Sequence, residues 1–125
     1  MSPMTRGWSW AKVGVTAQGT AASPIVLTGQ EKTPGYWNGL QLWDSNSVNN
    51  ILDYVTIEYA GGGGFPSANL AVINTMEFPR IQVQHCTIGH SAGWGVLVDQ
   101  HATVNGDMAT VNTFADNASG DVYVW

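Results

Sequence analysis

The chain has 125 residues, of which four are Lys or Arg and nine are Asp or Glu, while glycine numbers 15 and tryptophan six. That length supports one domain with a core and excludes separate cofactor and substrate lobes, and so few charges cannot furnish the outer faces of amphipathic helices. A formal net charge of −5 argues against a nucleic-acid partner, because phosphate affinity comes from Lys and Arg that displace counterions.

The lone cysteine, Cys86, permits neither an internal disulfide nor a Cys-rich zinc module. No apolar run approaches the ~20 residues of a membrane span. Met1 to Trp10 lack the basic and apolar regions of a secretory signal, so none is expected within this chain. The residues expected instead are those of an all-β domain spanning 1–125, with 1–12 as an N-terminal cap in which Trp8 and Trp10 plug the end of the core.

In chain order, Ile25-Val26-Leu27 is the first short strand, followed by a Gly- and Pro-rich loop over 28–38 and a second strand at Gly39-Leu40-Gln41-Leu42. A turn rich in oxygen ligands follows at Asp44, Asn46 and Asn49. Val55-Thr56-Ile57 repeats the first strand, the loop 58–69 repeats the long corner, and Asn69-Leu70-Ala71-Val72 repeats the second. The pattern then recurs with short corners as Cys86-Thr87-Ile88 and Gly95-Val96-Leu97-Val98, and as Asn112-Thr113-Phe114 and Asp121-Val122-Tyr123-Val124.

The leading apolar residues of one series stand at 40, 70, 96 and 122, in steps of 30, 26 and 26. The last residues of the other stand at 27, 57, 88 and 114, in steps of 30, 31 and 26. Two interleaved series of one period, each alternating inward and outward, predict a β-solenoid whose coils pair in parallel. Leu40, Leu70, Val96 and Val122 would then form an inward column with about 4.8 Å between members. An antiparallel sandwich would need tight hairpins, but neither Asn38-Gly39 nor Asn105-Gly106 divides two alternating runs.

The order Gly19-Thr20-Ala21-Ala22-Ser23-Pro24-Ile25, Trp37-Asn38-Gly39 and Glu58-Tyr59-Ala60-Gly61-Gly62 resembles the right-handed parallel β-helix repeats of bacterial exported and cell-surface proteins, within the pectate-lyase-like superfold. The resemblance covers most of residues 13–124 and implies a short right-handed β-helix of about four to five coils, placed outside the cell or on its surface. It does not imply one activity, since that superfold holds polysaccharide lyases, glycoside hydrolases, tailspikes and adhesins. Relatives usually run to more coils with a capped end. The few coils here, with Trp125 as a further end plug, predict a homo-oligomer joined through solenoid ends or through the outward column Ala71, Leu97 and Tyr123.

For catalysis the inventory is thin. Arg6, Lys12, Lys32 and Arg80 are scattered, and none flanks a pair of carboxylates as polyuronide cleavage would require. Stacking the repeats brings Tyr59, His90 and Asp116 into one column beside Glu58, a carboxylate-imidazole-carboxylate strip that would suit a glycosidase if its acids stood ~5 to 9.5 Å apart. His85 falls in a column with Tyr54 and Val111, and His101 in a turn, a spacing that makes no metal motif. Calcium is the one ion left open, at Asp44, Asn46 and Asn49, though turn formation explains those residues equally well. Gly61 to Gly64 lead into Phe-Pro rather than a lysine or helix, so they make no phosphate loop.

The long corners gather Tyr36, Trp37 and Phe65, with Trp94 one coil further on, and Glu31, Asn38, Glu58 and Asn69 nearby. Aromatic faces beside such polar groups can hold sugar rings, although Trp37 also suits a packing role in the repeat. The expected function is therefore a non-catalytic module, either carbohydrate-binding or interacting at a surface. The alternatives are a small structural β-helix from a mobile or fragmentary gene, and a polysaccharide-active lyase or hydrolase.

Overall fold

The computed structural model describes residues 14–125. The first rung is β1 (Thr16–Gln18), β2 (Ile25–Leu27) and β3 (Leu40–Trp43), and the second is β4 (Ile51–Asp53), β5 (Val55–Glu58) and β6 (Ala68–Ile73). The third is β7 (Arg80–Gln84), β8 (Thr87–Gly89) and β9 (Trp94–Val98). The fourth is β10 (Thr103–Val104), the one-turn helix α1 (Met108–Val111), β11 (Thr113–Ala115) and β12 (Gly120–Val124). Like strands of successive rungs pair in parallel, giving three four-stranded sheets, β1-β4-β7-β10, β2-β5-β8-β11 and β3-β6-β9-β12. The fold is a parallel β-solenoid of about three turns.

The registers are those the two series require. Leu40 pairs with Leu70, Leu70 with Val96 and Val96 with Val122 in the third sheet. Leu27, Ile57, Ile88 and Phe114 align likewise in the second. These inward columns, with Leu52, Val83 and Trp37, form the main core. Four rungs enclose about three full turns, fewer than the four to five coils expected, and the turns shorten along the chain. From the start of one β1-type strand to the next takes 35 residues (16 to 51), then 29 (51 to 80), then 23 (80 to 103).

Asparagine closes the corners from inside. Asn50, Asn69 and Asn112 are buried, and each amide joins backbone groups of neighbouring rungs. Asn69 accepts from Ala60 N–H at 2.9 Å and donates to the carbonyls of Ile57 and Gly89 at 3.1 and 2.7 Å. Asn112 accepts from Cys86 N–H at 2.8 Å and donates to Val83 and Met108 carbonyls at 2.8 and 2.9 Å. A buried backbone group without a partner costs as much as a lost hydrogen bond. These amides meet that requirement where the ladder is interrupted by a bend.

The outer side of the third sheet is covered by its own aromatic residues. Ala71 and Leu97 do face outward from the third sheet but are buried, forming a second apolar cluster with Ala68 and Ile73 beneath Trp43, Trp94 and Trp125. Trp125 is not an end plug. It extends the β12 register by donating its N–H to Val98 O at 3.1 Å, and two residues beyond outward-facing Tyr123 it joins the same outer side. The cap assigned to 1–12, with Trp8 and Trp10, lies outside the described residues. No helix among the described residues is long and apolar enough to cross a membrane.

Candidate functional site

The residues following β5, β8 and β11 are Tyr59, His90 and Asp116, and all three take the left-handed conformation, with φ of 63°, 54° and 58°. Left-handed backbone bends the chain sharply at the cost of a Cβ clash, and its repetition places three side chains one above another. The Tyr59 and His90 rings stack with centroids 4.7 Å apart and planes 5° apart. Asp116 Oδ2 lies 3.9 Å from His90 Nδ1. The column read from the repeats is therefore real.

Its chemistry is limited by what surrounds it. Glu58 accepts a hydrogen bond from Thr28 Oγ1 at 3.0 Å and lies 3.9 Å from Lys32 Nζ, which itself donates to Thr28 at 2.8 Å and sits 5.6 Å over the Tyr59 ring. Glu58 is in register with Gly89 and Ala115 rather than with His90. It stands two rungs from Asp116, about 10 Å at the usual strand spacing, which is wide for a hydrolytic carboxylate pair. A cleft of about 240 Å³ lies over β7 and β10, and one of about 210 Å³ beside Trp43 and Asp44, and neither is lined by Glu58, His90 or Asp116. Tyr54 and His85 form a similar ladder before β5 and β8, with rings 4.7 Å apart and His85 Nδ1 2.9 Å from Asp53 Oδ1. Val111, placed with them by the repeat, is instead the last residue of α1. Cys86 is buried in the main core, and that burial pushes its thiol up to about 11.

The aromatic corner divides. Trp37 is fully buried in the main core, its indole N–H donating to Glu58 O at 2.8 Å, so it packs and does not face a ligand. Tyr36 packs against the same core, its hydroxyl 3.4 Å from Gln30 Oε1. Asn69, suggested as a polar sugar contact, is consumed by the backbone bonds already described. Phe65 and Trp94 do reach the surface, where each packs on another aromatic ring. The Phe65 ring is edge-on to Trp125 at 5.4 Å, and Trp94 stacks on Tyr123 at 5.0 Å. Trp94 fits because Gly120 lies beneath it at φ 138°, where a Cβ would come within 2.6 Å of the indole.

Asp44, also left-handed with φ 56°, holds the loop that follows β6. Its carboxylate accepts from the Thr75 hydroxyl and from the N–H groups of Thr75, Met76 and Glu77, the last two at 2.9 and 3.3 Å. Those bonds hold its pKa well below the usual aspartate range, the Thr75 hydroxyl contributing most. They also occupy the oxygens that a calcium ion would need. Among the described residues no group of three His, Cys, Asp or Glu could hold a metal. Because ionisation is favoured in the folded state, the stabilisation is complete above the unfolded aspartate pKa of about 4 and is lost as pH falls below it. Asp44→Asn should therefore lower the urea midpoint equally at pH 7 and pH 5, and the gap from the parent should shrink at pH 3.

No family model, curated protein or solved structure matches the chain.

Proposed function

We propose that the protein is a non-catalytic carbohydrate-binding module, acting outside the cell or at its surface through the aromatic group on the outer face of the third sheet. The observation that carries this is the grouping of Phe65, Trp94, Tyr123 and Trp125 over one sheet face, with Phe65 68% and Tyr123 46% exposed. Exposed rings held by stacking keep their geometry at little entropic cost, and sugar CH faces pack against such rings while neighbouring polar groups read hydroxyls. Asp121 shares the outward side of β12 with Tyr123, and Gln41 Oε1 receives the Trp43 indole N–H at 3.3 Å. No cofactor enters this reading. The Gly-Thr-x-x-x-Pro-Ile, Trp-x-Gly and Glu-Tyr-Ala-Gly-Gly elements, in that order, support placing the coils with right-handed pectate-lyase-like β-helices of bacterial surface proteins.

A screen of soluble glycans by arrayed binding, followed by titration calorimetry, tests the proposal. Binding by the parent should fall about tenfold or more in Trp94→Ala and in Tyr123→Ser, the scale of one lost aromatic contact, and should persist in Trp37→Phe. Absence of glycan binding by the parent, or binding indifferent to both surface substitutions, overturns it.

A further inference from the structure

The corner between β6 and β7 carries a feature that carbohydrate binding does not use. Met76 and Phe78 stand 79% and 64% exposed on a loop only six residues long, 74–79, and Val48 in the neighbouring corner is 70% exposed. Large apolar side chains this open usually belong to loose segments, but here the loop backbone is fastened by the hydrogen bonds of Met76 and Glu77 N–H to Asp44. At its far end Arg80 N–H donates to Ser45 O at 3.0 Å, and Arg80 O accepts from Asn50 Nδ2 at 3.0 Å. A backbone fixed in this way presents its apolar residues with little ordering left to do on contact.

The charges around it have a particular arrangement. On one side lies the cleft of about 210 Å³ lined by Trp43, Asp44, Met76 and Glu77. On the other lies the cleft of about 240 Å³, whose lining includes Val48 and Arg80. Neither Glu77 nor Arg80 has an ion-pair partner among the described residues, and Phe78 stands between them in the chain. An acid on one flank and a base on the other, separated by an apolar ridge, is complementary to itself under a two-fold rotation, which sets residue i against residue j and j against i.

We propose that this corner is a self-recognition surface through which two copies of the chain pair about a two-fold axis at Phe78, with Glu77 of each copy facing Arg80 of the other. Phe78 and Met76 are the apolar anchors, and the two ion pairs set the register and exclude a shifted pairing. The surface is small, so the pair belongs to the weak, exchanging class of interfaces that bury less than about 1,200 Å².

Sedimentation velocity across about 1 to 500 μM, the range in which such interfaces associate, gives the test. The parent's weight-average mass should rise from 13.4 kDa towards twice that value. Phe78→Ser, Glu77→Arg and Arg80→Glu should each weaken association tenfold or more. The combined Glu77→Arg, Arg80→Glu exchange should restore it to within about threefold, the two charges having only traded places. All these side chains are exposed, and circular dichroism melts would show the fold intact. A parent that stays monomeric throughout overturns the proposal, as does an exchange variant no better than its single parents. Tyr123→Ser should leave association unchanged, and its loss there would place the contact on the third sheet and overturn the proposal as well.

Discussion

Asn69→Ala is expected to lower stability by about 3 kcal/mol or more, a large share of what a domain of this size holds. The substitution removes no apolar contact of consequence. It strands one N–H, that of Ala60, and the carbonyls of Ile57 and Gly89 lose their amide donor, at a corner with no exposure to water. Each buried group so stranded costs roughly 1 to 3 kcal/mol. Asn69→Asp should be no better, because a carboxylate would meet two carbonyl oxygens where the amide supplied donors. Asn46, exposed in the preceding corner, serves as the control, and its alanine variant should unfold within about 0.5 kcal/mol of the parent. Urea denaturation at constant slope reads all three.

Trp37→Ala should rank beside it, with an expected loss of about 3 to 5 kcal/mol. The side chain is the largest of the fully buried residues, and its removal opens a void that the paired strands on either side cannot close without breaking register. Trp37→Phe separates packing from hydrogen bonding. It keeps most of the buried apolar volume but loses the indole donor to Glu58 O, so roughly 1 to 2 kcal/mol of loss is expected. Glycan binding unchanged in that variant would locate the ligand surface away from Trp37.

The contrast between these two residues shows what the sequence could convey. The second and third sheets were legible because their inward residues are aliphatic and recur at nearly even steps. The first sheet was not. Ala17, Leu52 and Val83 align across it, but their steps are 35 and 31 residues, and Val104 lies only 23 beyond its partner Ile81. Its last strand has two residues, too short to display an alternation. Asn69 reads as a surface turn residue, since asparagine usually marks exposed bends, and only the stacking of one corner on another turns it inward. Phe65 and Trp94 lie against Trp125 and Tyr123, and the repeat pattern does not pair them. Which side chains share an outer face depends on how far the last strand runs and on the path of the long corner, and neither is written in the period.

The shortening of the turns also has a consequence for how the chain assembles. Closing a 23-residue turn costs about 0.4 kcal/mol less chain entropy than closing one of 35, so the later rungs are the easier to close. Yet the fourth rung is half solvated, with Val124 open to water, while β6 and β9 in the middle are almost wholly buried. Ease of closure and reward for closure thus fall at different places along the axis. Folding that starts at the β6–β9 pairing gains most per residue ordered, so the reward for closing a turn lies in the middle of the stack while the shortest turn lies beyond it.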